Sequence, residues 1–227
     1  MRVLLLSLGI LSATIAGAND LAMLFESGQL DTLKSKAKAM TAQKQTSAEG
    51  HYWLGKVAHK QQDLETALDA YEEAVDLDGN NPIYLKAFGQ TACNLAQKVS
   101  MFRAAGLASD CKKSFEKVTQ LSPDDIDNRD ALIGFYLGAP AIAGGSEDKA
   151  LVQAKEIAKL NPERGALALA RVYQKQEKYT EALTELDKVI ATSENPNPIL
   201  FSKGMLQQSQ KDWPGARTSF NSILSKE

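Results

Sequence analysis

A single spacing recurs along this chain. The step from Leu54-Gly55 to Phe88-Gly89 is the same length as the step from Ala182 to Ala216. A sequence that repeats at a fixed period of about 34 residues folds as an array of similar units, each packed on the next. The period therefore constrains the fold before any single motif is considered.

The best-defined unit covers residues 48–81. Ala67 comes twelve residues after Gly55, Tyr71 follows four residues later, and the turn DGNNP closes the unit. This order of a Leu-Gly pair, a small residue and an aromatic residue resembles the tetratricopeptide-repeat family. The resemblance implies an all-α fold, a right-handed α-solenoid of antiparallel helix pairs in which small residues let paired helices approach closely.

The resemblance extends over most of the chain and predicts three parts. Residues 1–18 are predicted to be a signal peptide, 19–47 a degenerate helical piece, and 48–227 about five helix pairs that form one array with that piece. The first helices of the later units are marked by Gly89, Gly134, Ala170 and Gly204.

Two of the predicted units are longer than the period allows. The segment from Gly89 to Cys111 exceeds the twelve-residue spacing of the first unit by ten residues, and the segment from Gly134 to Ala150 exceeds it by four. The register of the repeat places both extra segments between the two helices of a unit. The four-residue segment adds little closure entropy, so the array can tolerate it.

The second extra segment, GAPAIAGGSEDKA at 138–150, is rich in glycine. A phosphate-binding loop of the Walker A type needs a lysine after its last glycine, whereas Ser146, Glu147 and Asp148 follow here. Ser146 is predicted to cap the next helix, whose first-turn carboxylates would repel a phosphate. The segment is interpreted as a turn, with the alternative that its apolar tip at 141–143 contacts a neighbouring subunit or partner.

Residues 1–18 have the layout of a secretory signal peptide. Arg2 precedes an apolar run at 3–16, and Ala16-Gly17-Ala18 fits a cleavage site. The segment predicts a protein exported to the periplasm of a Gram-negative bacterium, with no stable membrane insertion after cleavage. An uncleaved anchor and a buried helix are the alternatives.

The chain has two cysteines, Cys93 and Cys111, which fall on the first and second helix of one predicted unit. An oxidising compartment and the closeness of paired helices favour a disulfide between them. The alternative is that both are small buried thiols at the alanine-like positions of the repeat.

The resemblance also implies a concave groove lined by the first helices of the units. Register with the repeat places cations, amides and aromatic rings there, which suit an extended peptide or a C-terminal carboxylate. Lys86 and Gln90 are spaced like the lysine and asparagine of carboxylate-clamp members, although the asparagine itself is missing. The alternative is an inner face that is only solvated. The predicted groove residues are Tyr52, Lys56, His59, Lys86, Gln90, Asn94, Phe135, Arg171, Gln174, Phe201 and Met205.

The sequence contains no motif that indicates catalysis or a metal or cofactor site. Its two histidines, His51 and His59, belong to no H-E-x-x-H motif, and a G-x-S-x-G nucleophile turn is absent. A formal net charge of −2 provides no basic footprint for nucleic acid. We therefore expect a non-enzymatic scaffold, without a cofactor, that binds a protein or peptide in the groove.

Two further expectations concern surfaces outside the groove. The alternative function is an accessory subunit of an envelope assembly or secretion machine, which would contact its partners through the convex face or the array ends. Phe220, Ile223 and Leu224 are predicted to lack full cover in the last unit, which favours a homodimer.

Overall fold

The computed structural model of the protein describes residues 20–43 and 47–224, so the predicted signal peptide at 1–18 lies outside the described residues. All regular elements in these two ranges are helical, as the repeat predicts. None of the described helices combines the length and the apolar character that crossing a bilayer requires. The helices are α1 (20–26), α2 (Leu30–Gln43), α3 (Ala48–Lys60), α4 (Leu64–Leu77), α5 (Pro82–Ala96), α6 (Met101–Leu121), α7 (Ile126–Gly138), α8 (Glu147–Leu160), α9 (Pro162–Lys175), α10 (Tyr179–Ile190), α11 (Asn197–Ser209) and α12 (Trp213–Leu224), with a 3-10 turn at Ala141–Ala143.

The chain divides into two compact units, Met1–Ser114 and Phe115–Glu227, and the boundary falls within α6. In the first unit, α3 packs on both α2 and α4, and α4 packs on α5. In the second unit, each helix from α7 to α12 packs on the next, and α9 also contacts α7 and α11. Each unit is thus built from neighbouring helices joined by short connections, as expected for antiparallel pairs.

Polar side chains set the beginnings of several helices. Ser47 accepts a hydrogen bond from the backbone N–H of Gly50 at the start of α3, at 3.0 Å. Ser146 accepts one from the backbone N–H of Lys149 at 3.3 Å and so caps α8 as predicted. Such caps satisfy N–H groups that have no partner inside the helix, so local sequence fixes where these helices start.

Three helix pairs reverse direction through the same type of turn. Gln62, Glu177 and Lys211 adopt left-handed backbone with φ of 64°, 60° and 61°, in the connections α3–α4, α9–α10 and α11–α12. Glu177 and Lys211 are separated by one repeat period, so the turn itself repeats. The connections α5–α6 and α7–α8 differ from this short turn.

The ten-residue excess between Gly89 and Cys111 does not form a loop, contrary to the prediction. The connection covers only residues 97–100, and α6 is 21 residues long, whereas α7 to α12 have 12 to 14 residues each. The excess extends α6 at its N-terminal end because the segment MFRAAGLASD at 101–110 is rich in good helix formers. Arg103 in this extension pairs with Glu65 on α4.

A disulfide joins α5 to the middle of α6. The Sγ atoms of Cys93 and Cys111 are bonded, and their Cα atoms lie 5.3 Å apart. The bridge closes a segment with a sequence separation of 18, which includes the whole N-terminal extension of α6. The extension is therefore tied to α5 at its base.

The four-residue excess does lie between two helices, α7 and α8, as predicted. Gly144 has a φ of 96°, and a Cβ added to Gly145 would overlap the carbonyl oxygen of Ala139. The backbone N–H of Ser146 donates to the carbonyl of Tyr136 at 2.9 Å. Glycine is required at 144 and 145 by backbone geometry and close approach, so the segment is an ordered turn.

Candidate binding groove

The register of α7 decides which of its side chains face outward. The eighth residue of α3, α5 and α11 is a buried glycine, namely Gly55, Gly89 and Gly204. The eighth residue of α7 is Ile133, which is fully buried, whereas Gly134 is exposed. In α9 the small repeat residue is the ninth, Ala170, and it is buried, so burial decides the register together with the count. Because Ile133 is buried and Gly134 is exposed, Ile133 occupies the repeat position that the sequence pattern had assigned to Gly134.

Phe135 is accordingly not on the groove surface, which corrects the predicted set. Its side chain is 7% exposed, and its ring centroid lies 5.9 Å from that of Tyr136. A shift of one residue turns a side chain by about 100° around a helix with 3.6 residues per turn. Gly134 faces outward at the position where the repeat pattern predicted Phe135.

The second unit contains an open cavity of about 710 Å³ between the first helices of its three pairs, which we call the α7–α9–α11 groove. Two of the predicted residues, Arg171 and Gln174, line it. The lining residues are Gly134, Leu137, Gly138, Arg171, Gln174, Lys175, Glu177, Tyr179, Ser209 and Gln210.

The α7 wall of the groove presents one large side chain, Leu137, and two glycines. Gly134 and Gly138 are one helical turn apart, and a Cβ added to either would have no heavy atom within 4 Å. Packing does not require glycine at these two positions, although a glycine inside a helix costs about 1 kcal/mol relative to alanine. The two glycines leave the backbone of α7 open to close approach by another chain.

The α9 wall is polar and partly fixed. The Arg171 guanidinium donates to the Asp130 carboxylate at 2.7 Å and to the Asp130 carbonyl at 3.3 Å. Arg164 forms a second ion pair with Asp127 at 2.7 Å, so two ion pairs join α9 to α7. The side chains of Gln174 and Lys175 have no hydrogen-bond or ion-pair partner among the described residues. The groove therefore combines a held guanidinium with an unpaired ammonium, an unpaired amide and the carboxylate of Glu177.

Sequence reasoning missed Lys175 and Gly138. Each lies four residues beyond a position at the groove, Lys175 after Arg171 and Gly138 after Gly134. Residues four apart share a helix face, so the helical period counted from Arg171 would have found Lys175. Finding Gly138 also required the register of α7 that the structure shows.

In the first unit, Tyr52 lies in an aromatic cluster. Its ring centroid is 5.2 Å from that of Tyr84, 5.3 Å from Trp53 and 5.9 Å from Tyr71. Burial raises the pKa of the Tyr52 phenol, and burial followed by the charge of Glu49 raises the pKa of Tyr84 to about 12. Tyr52 is therefore half-buried and packs against other rings.

The cations and amides predicted in the first unit also contact their own chain. The Lys56 ammonium lies 4.3 Å from the centroid of the Phe25 ring, a cation–π contact. Burial, followed by the charge of Lys56, lowers the pKa of His59. Gln90 Nε2 donates to Asn94 Oδ1 at 3.0 Å, and Lys86 is half-buried. These contacts hold the side chains in place.

Phe201 and Met205 lie on α11 and are exposed, but they do not line the α7–α9–α11 groove.

A cavity of about 700 Å³ in the first unit is lined by charged residues of α2 and α4, including Lys34, Lys38, Asp69 and Glu72. Burial, followed by the nearby carboxylate of Asp76, raises the pKa of Glu72. Within the residues that the structure describes, no group of histidine, cysteine or carboxylate side chains is arranged to hold a metal ion.

Comparisons with known proteins agree with this architecture. A family model of the tetratricopeptide repeat matches residues 48–81. No curated protein sequence matches the chain.

Solved structures share the fold. The protein pilF of Pseudomonas aeruginosa is 16% identical with a TM-score of 0.66, and the match covers 95% of this chain and 92% of pilF. YrrB, described as a TPR protein with an unusual peptide-binding site, is 18% identical with a TM-score of 0.64, over 86% of this chain and 89% of YrrB. A thermophilic TPR protein of Thermus thermophilus is 18% identical with a TM-score of 0.55, over 80% and 92% of the two chains.

These structural likenesses show the fold. Proteins built from tetratricopeptide repeats are generally non-enzymatic scaffolds. The chain thus carries a tetratricopeptide repeat at 48–81 and has the fold of the tetratricopeptide solenoids.

Proposed function

We propose that this protein is a non-enzymatic scaffold that binds an extended peptide or protein segment in the α7–α9–α11 groove. The observation that carries the proposal is the pair of α7 glycines, Gly134 and Gly138. A side chain at either position would meet no neighbouring atom within 4 Å, so the glycines are not needed for packing. Glycine at such positions lets a second backbone approach the helix.

The opposite wall supports the same function. An extended peptide presents backbone amides and carbonyls, and the Gln174 amide can both donate to and accept from them. Lys175 supplies an unpaired positive charge for a carboxylate of the ligand, and Leu137 and Tyr179 supply apolar contact area. YrrB is described with a peptide-binding site and shares this fold, which supports a peptide as the class of ligand.

We further propose that the protein works in the periplasm of a Gram-negative bacterium. The apolar run after Arg2 and the Ala16-Gly17-Ala18 site support export, and the Cys93–Cys111 disulfide suits an oxidising compartment. Fractionation of cells with N-terminal sequencing tests this location. A periplasmic chain that begins at Asn19 is expected, and a full-length cytoplasmic chain would refute it.

Selection from a phage-displayed library of random peptides tests the groove. A peptide selected on the wild-type protein should bind Lys175→Glu at least about tenfold more weakly, because reversing the charge of a positioned cation removes a charge-assisted contact. Arg171→Glu should act in the same direction, because it also breaks the ion pair with Asp130. The matched control is Lys155→Glu on α8, which is exposed and does not line the groove.

Two results would refute the groove. The first is that Lys175→Glu and Lys155→Glu bind the selected peptide equally well. The second concerns a crosslinker attached at position 174: none of the selected peptides would block its reaction. Lys86→Glu, in the first unit, shows whether that unit also contributes.

The second candidate function, an accessory subunit of an envelope assembly or secretion machine, is favoured by exposed apolar side chains outside the groove. Phe102 lies on the extension of α6, and Ile142 lies at the tip of the α7–α8 turn. If Phe102→Ser or Ile142→Ser no longer captures a partner protein, while Lys175→Glu captures it as well as the wild type does, this function is favoured over groove binding.

A further inference from the structure

The cavity of about 700 Å³ in the first unit has charges of opposite sign on opposite walls, and we call it the α2–α4 cavity. Helix α3 packs on both α2 and α4, so it forms the floor between them. Val57 and Ala58 of α3 line this floor and make it apolar. Small-molecule sites usually have volumes of about 300–1,000 Å³, so the size of the cavity suits a small ligand.

The α2 wall of the cavity is cationic. Lys34 and Lys38 both line it, and because they are four residues apart they share one face of the helix. Both side chains are exposed, and neither forms a hydrogen bond or an ion pair with another residue in the ranges 20–43 and 47–224. A single carboxylate has enough lone pairs to accept hydrogen bonds from both ammonium groups.

The α4 wall of the cavity is anionic. Asp69, Glu72 and Glu73 line it from one face of the helix and are exposed. Their carboxylates accept no hydrogen bond and form no ion pair within the described parts of the chain. Arg103 of α6 is already paired with Glu65, one turn before Asp69. This wall therefore offers acceptors for cationic groups of a ligand.

The negative charge of the α4 wall exceeds what the protein itself neutralises. The pKa of the Glu72 carboxyl is raised, first by partial desolvation and then by the like charges of neighbouring carboxylates. These neighbours are Asp76, Asp110, Asp69 and Glu73. A cation bound among these groups would relieve their mutual repulsion.

The two walls face each other without neutralising each other. Hydrogen bonds from Thr66, and after them the charge of Lys34, lower the pKa of Asp63, so the field of Lys34 reaches the start of α4. Asp63 itself is engaged as the cap of α4, since it accepts from the backbone N–H of Thr66 at 3.1 Å and from its hydroxyl at 2.7 Å. No described ion pair joins α2 to α4, so the charges on the two walls remain separated by open space.

We propose that the α2–α4 cavity binds a small basic zwitterion, the chemical class of lysine, arginine and their dipeptides. The ligand carboxylate accepts hydrogen bonds from Lys34 and Lys38, while its ammonium or guanidinium groups donate to the carboxylates of the α4 wall. The methylene groups of the ligand side chain lie on the apolar floor. Three carboxylates on one wall against two ammonium groups on the other favour a ligand with a net positive charge.

Binding should be weak and sensitive to salt. The charged side chains of both walls are exposed, so solvent and ions screen each contact with the ligand. A dissociation constant on the order of 1 mM is expected at low ionic strength.

An NMR titration of the ¹⁵N-labelled exported protein with lysyl-lysine tests the proposal. Saturable shifts of backbone amides are expected in 30–43 and 64–77. The double variant Lys34→Gln/Lys38→Gln should raise the dissociation constant about threefold or more, although it makes the protein more negative. A surface that merely attracts cations would respond in the opposite direction. The same double variant should not weaken binding of the C-terminally amidated dipeptide, which lacks the carboxylate.

Glu73→Gln tests the other wall and should weaken binding of lysyl-lysine and of its amide alike. The matched controls are Lys155→Gln on α8 and Glu181→Gln on α10, which make the same changes at exposed positions of the second unit and should leave both dissociation constants unchanged. Circular dichroism checks that every variant keeps its helices.

Three results would overturn the proposal. The first is the absence of saturable shifts in α2 and α4 at tens of millimolar lysyl-lysine. The second is unchanged or tighter binding of lysyl-lysine by Lys34→Gln/Lys38→Gln. The third is an equal loss of binding in the control variants, which would mean that only the overall charge of the protein matters.

Discussion

Gly55 of α3 lies directly beneath the ring of Tyr71 on α4. A Cβ added to Gly55 would come within 2.5 Å of Cε1 and 2.6 Å of Cδ1 of that ring. The Tyr71 side chain is almost fully buried, so it has no room to move away. The same relation recurs between Gly204 and Phe220, where the corresponding distance is 2.5 Å. In the pairs α3–α4 and α11–α12, the distance between the helices is therefore set by a glycine under an aromatic ring.

Gly55→Ala should lower the free energy of unfolding by about 1–3 kcal/mol, the usual effect of overpacking a tight contact. Urea unfolding followed by circular dichroism measures it. Gly106→Ala on α6 is the control, because a Cβ there has open space and should stabilise the helix by up to about 1 kcal/mol. Equal effects at the two sites would contradict the close contact.

The Cys93–Cys111 disulfide should contribute about 3 kcal/mol to stability, as expected for a bridge that closes a loop of this length. Reduction of the exported protein should lower its unfolding free energy by that amount. The double variant Cys93→Ala/Cys111→Ala should match the reduced wild type and should not respond to reductant. A count of two free thiols on the protein isolated without reductant would refute the bridge.

Substitution of Gly134 should change stability and binding in opposite directions. Gly134→Ala should stabilise the protein by up to about 1 kcal/mol, because the position is helical and its Cβ would have open space. Gly134→Leu should fill the groove and weaken binding of a library-selected peptide. Gly106→Ala provides the control for stabilisation without an effect on binding. Unchanged peptide affinity in Gly134→Leu would show that the ligand does not pass over α7.

Glu72 should make the protein less stable as pH rises. Glu72 is exposed overall, but partial desolvation of its carboxyl, followed by the charge of Asp76, raises the pKa of that carboxyl above the ordinary value of 4.5. A carboxyl whose folded-state pKa is raised contributes stability that is fully present below its ordinary pKa and is lost as pH rises through the raised value. Glu72→Gln should therefore raise the melting temperature at neutral pH and leave it unchanged well below pH 4.5. Glu181→Gln, on an exposed position of α10, is the control. An equal response of the two variants would contradict the prediction.

The repeat period predicted the helical fold because the positions that carry it are the contacts between paired helices. Gly55, Gly204 and Ala216 recur because a larger side chain there would push the pair apart. Ser146 was predicted as a cap from its own neighbours, because capping depends on three or four consecutive residues. Both kinds of inference rest on contacts that are local within a helix pair.

The N-terminal extension of α6 was not predicted, because counting residues against the repeat period does not determine their conformation. A count gives the number of extra residues and not their conformation, and the excess before Cys111 was assigned to a loop. The segment after Met101 contains helix formers and no proline, so its composition favoured helix. The helix propensity summed over this segment was therefore the signal for a longer helix, and counting residues against the period did not use it.

The groove was predictable only in part, for a reason that involves a single residue. The sequence pattern aligned Gly134 with Gly55, but α7 begins at Ile126 and so places Ile133 at that position. The pattern could not detect the shift because it looked for a small residue, and Gly134 is the small residue next to Ile133. Where the register was correct, as on α9, Arg171 and Gln174 were assigned to the surface that lines the groove.

The register of α7 has a consequence for redesign. An engineer who replaced residues 126–160 by an averaged repeat would restore the usual glycine at the eighth position and a larger residue at the ninth. The array would keep its folded core, since the eighth position faces the paired helix in either case. Its open α7 wall would be lost, because the ninth position is where Gly134 now leaves the backbone bare. In this chain the deviation from the average repeat, and not the repeat itself, is what a designer would have to preserve.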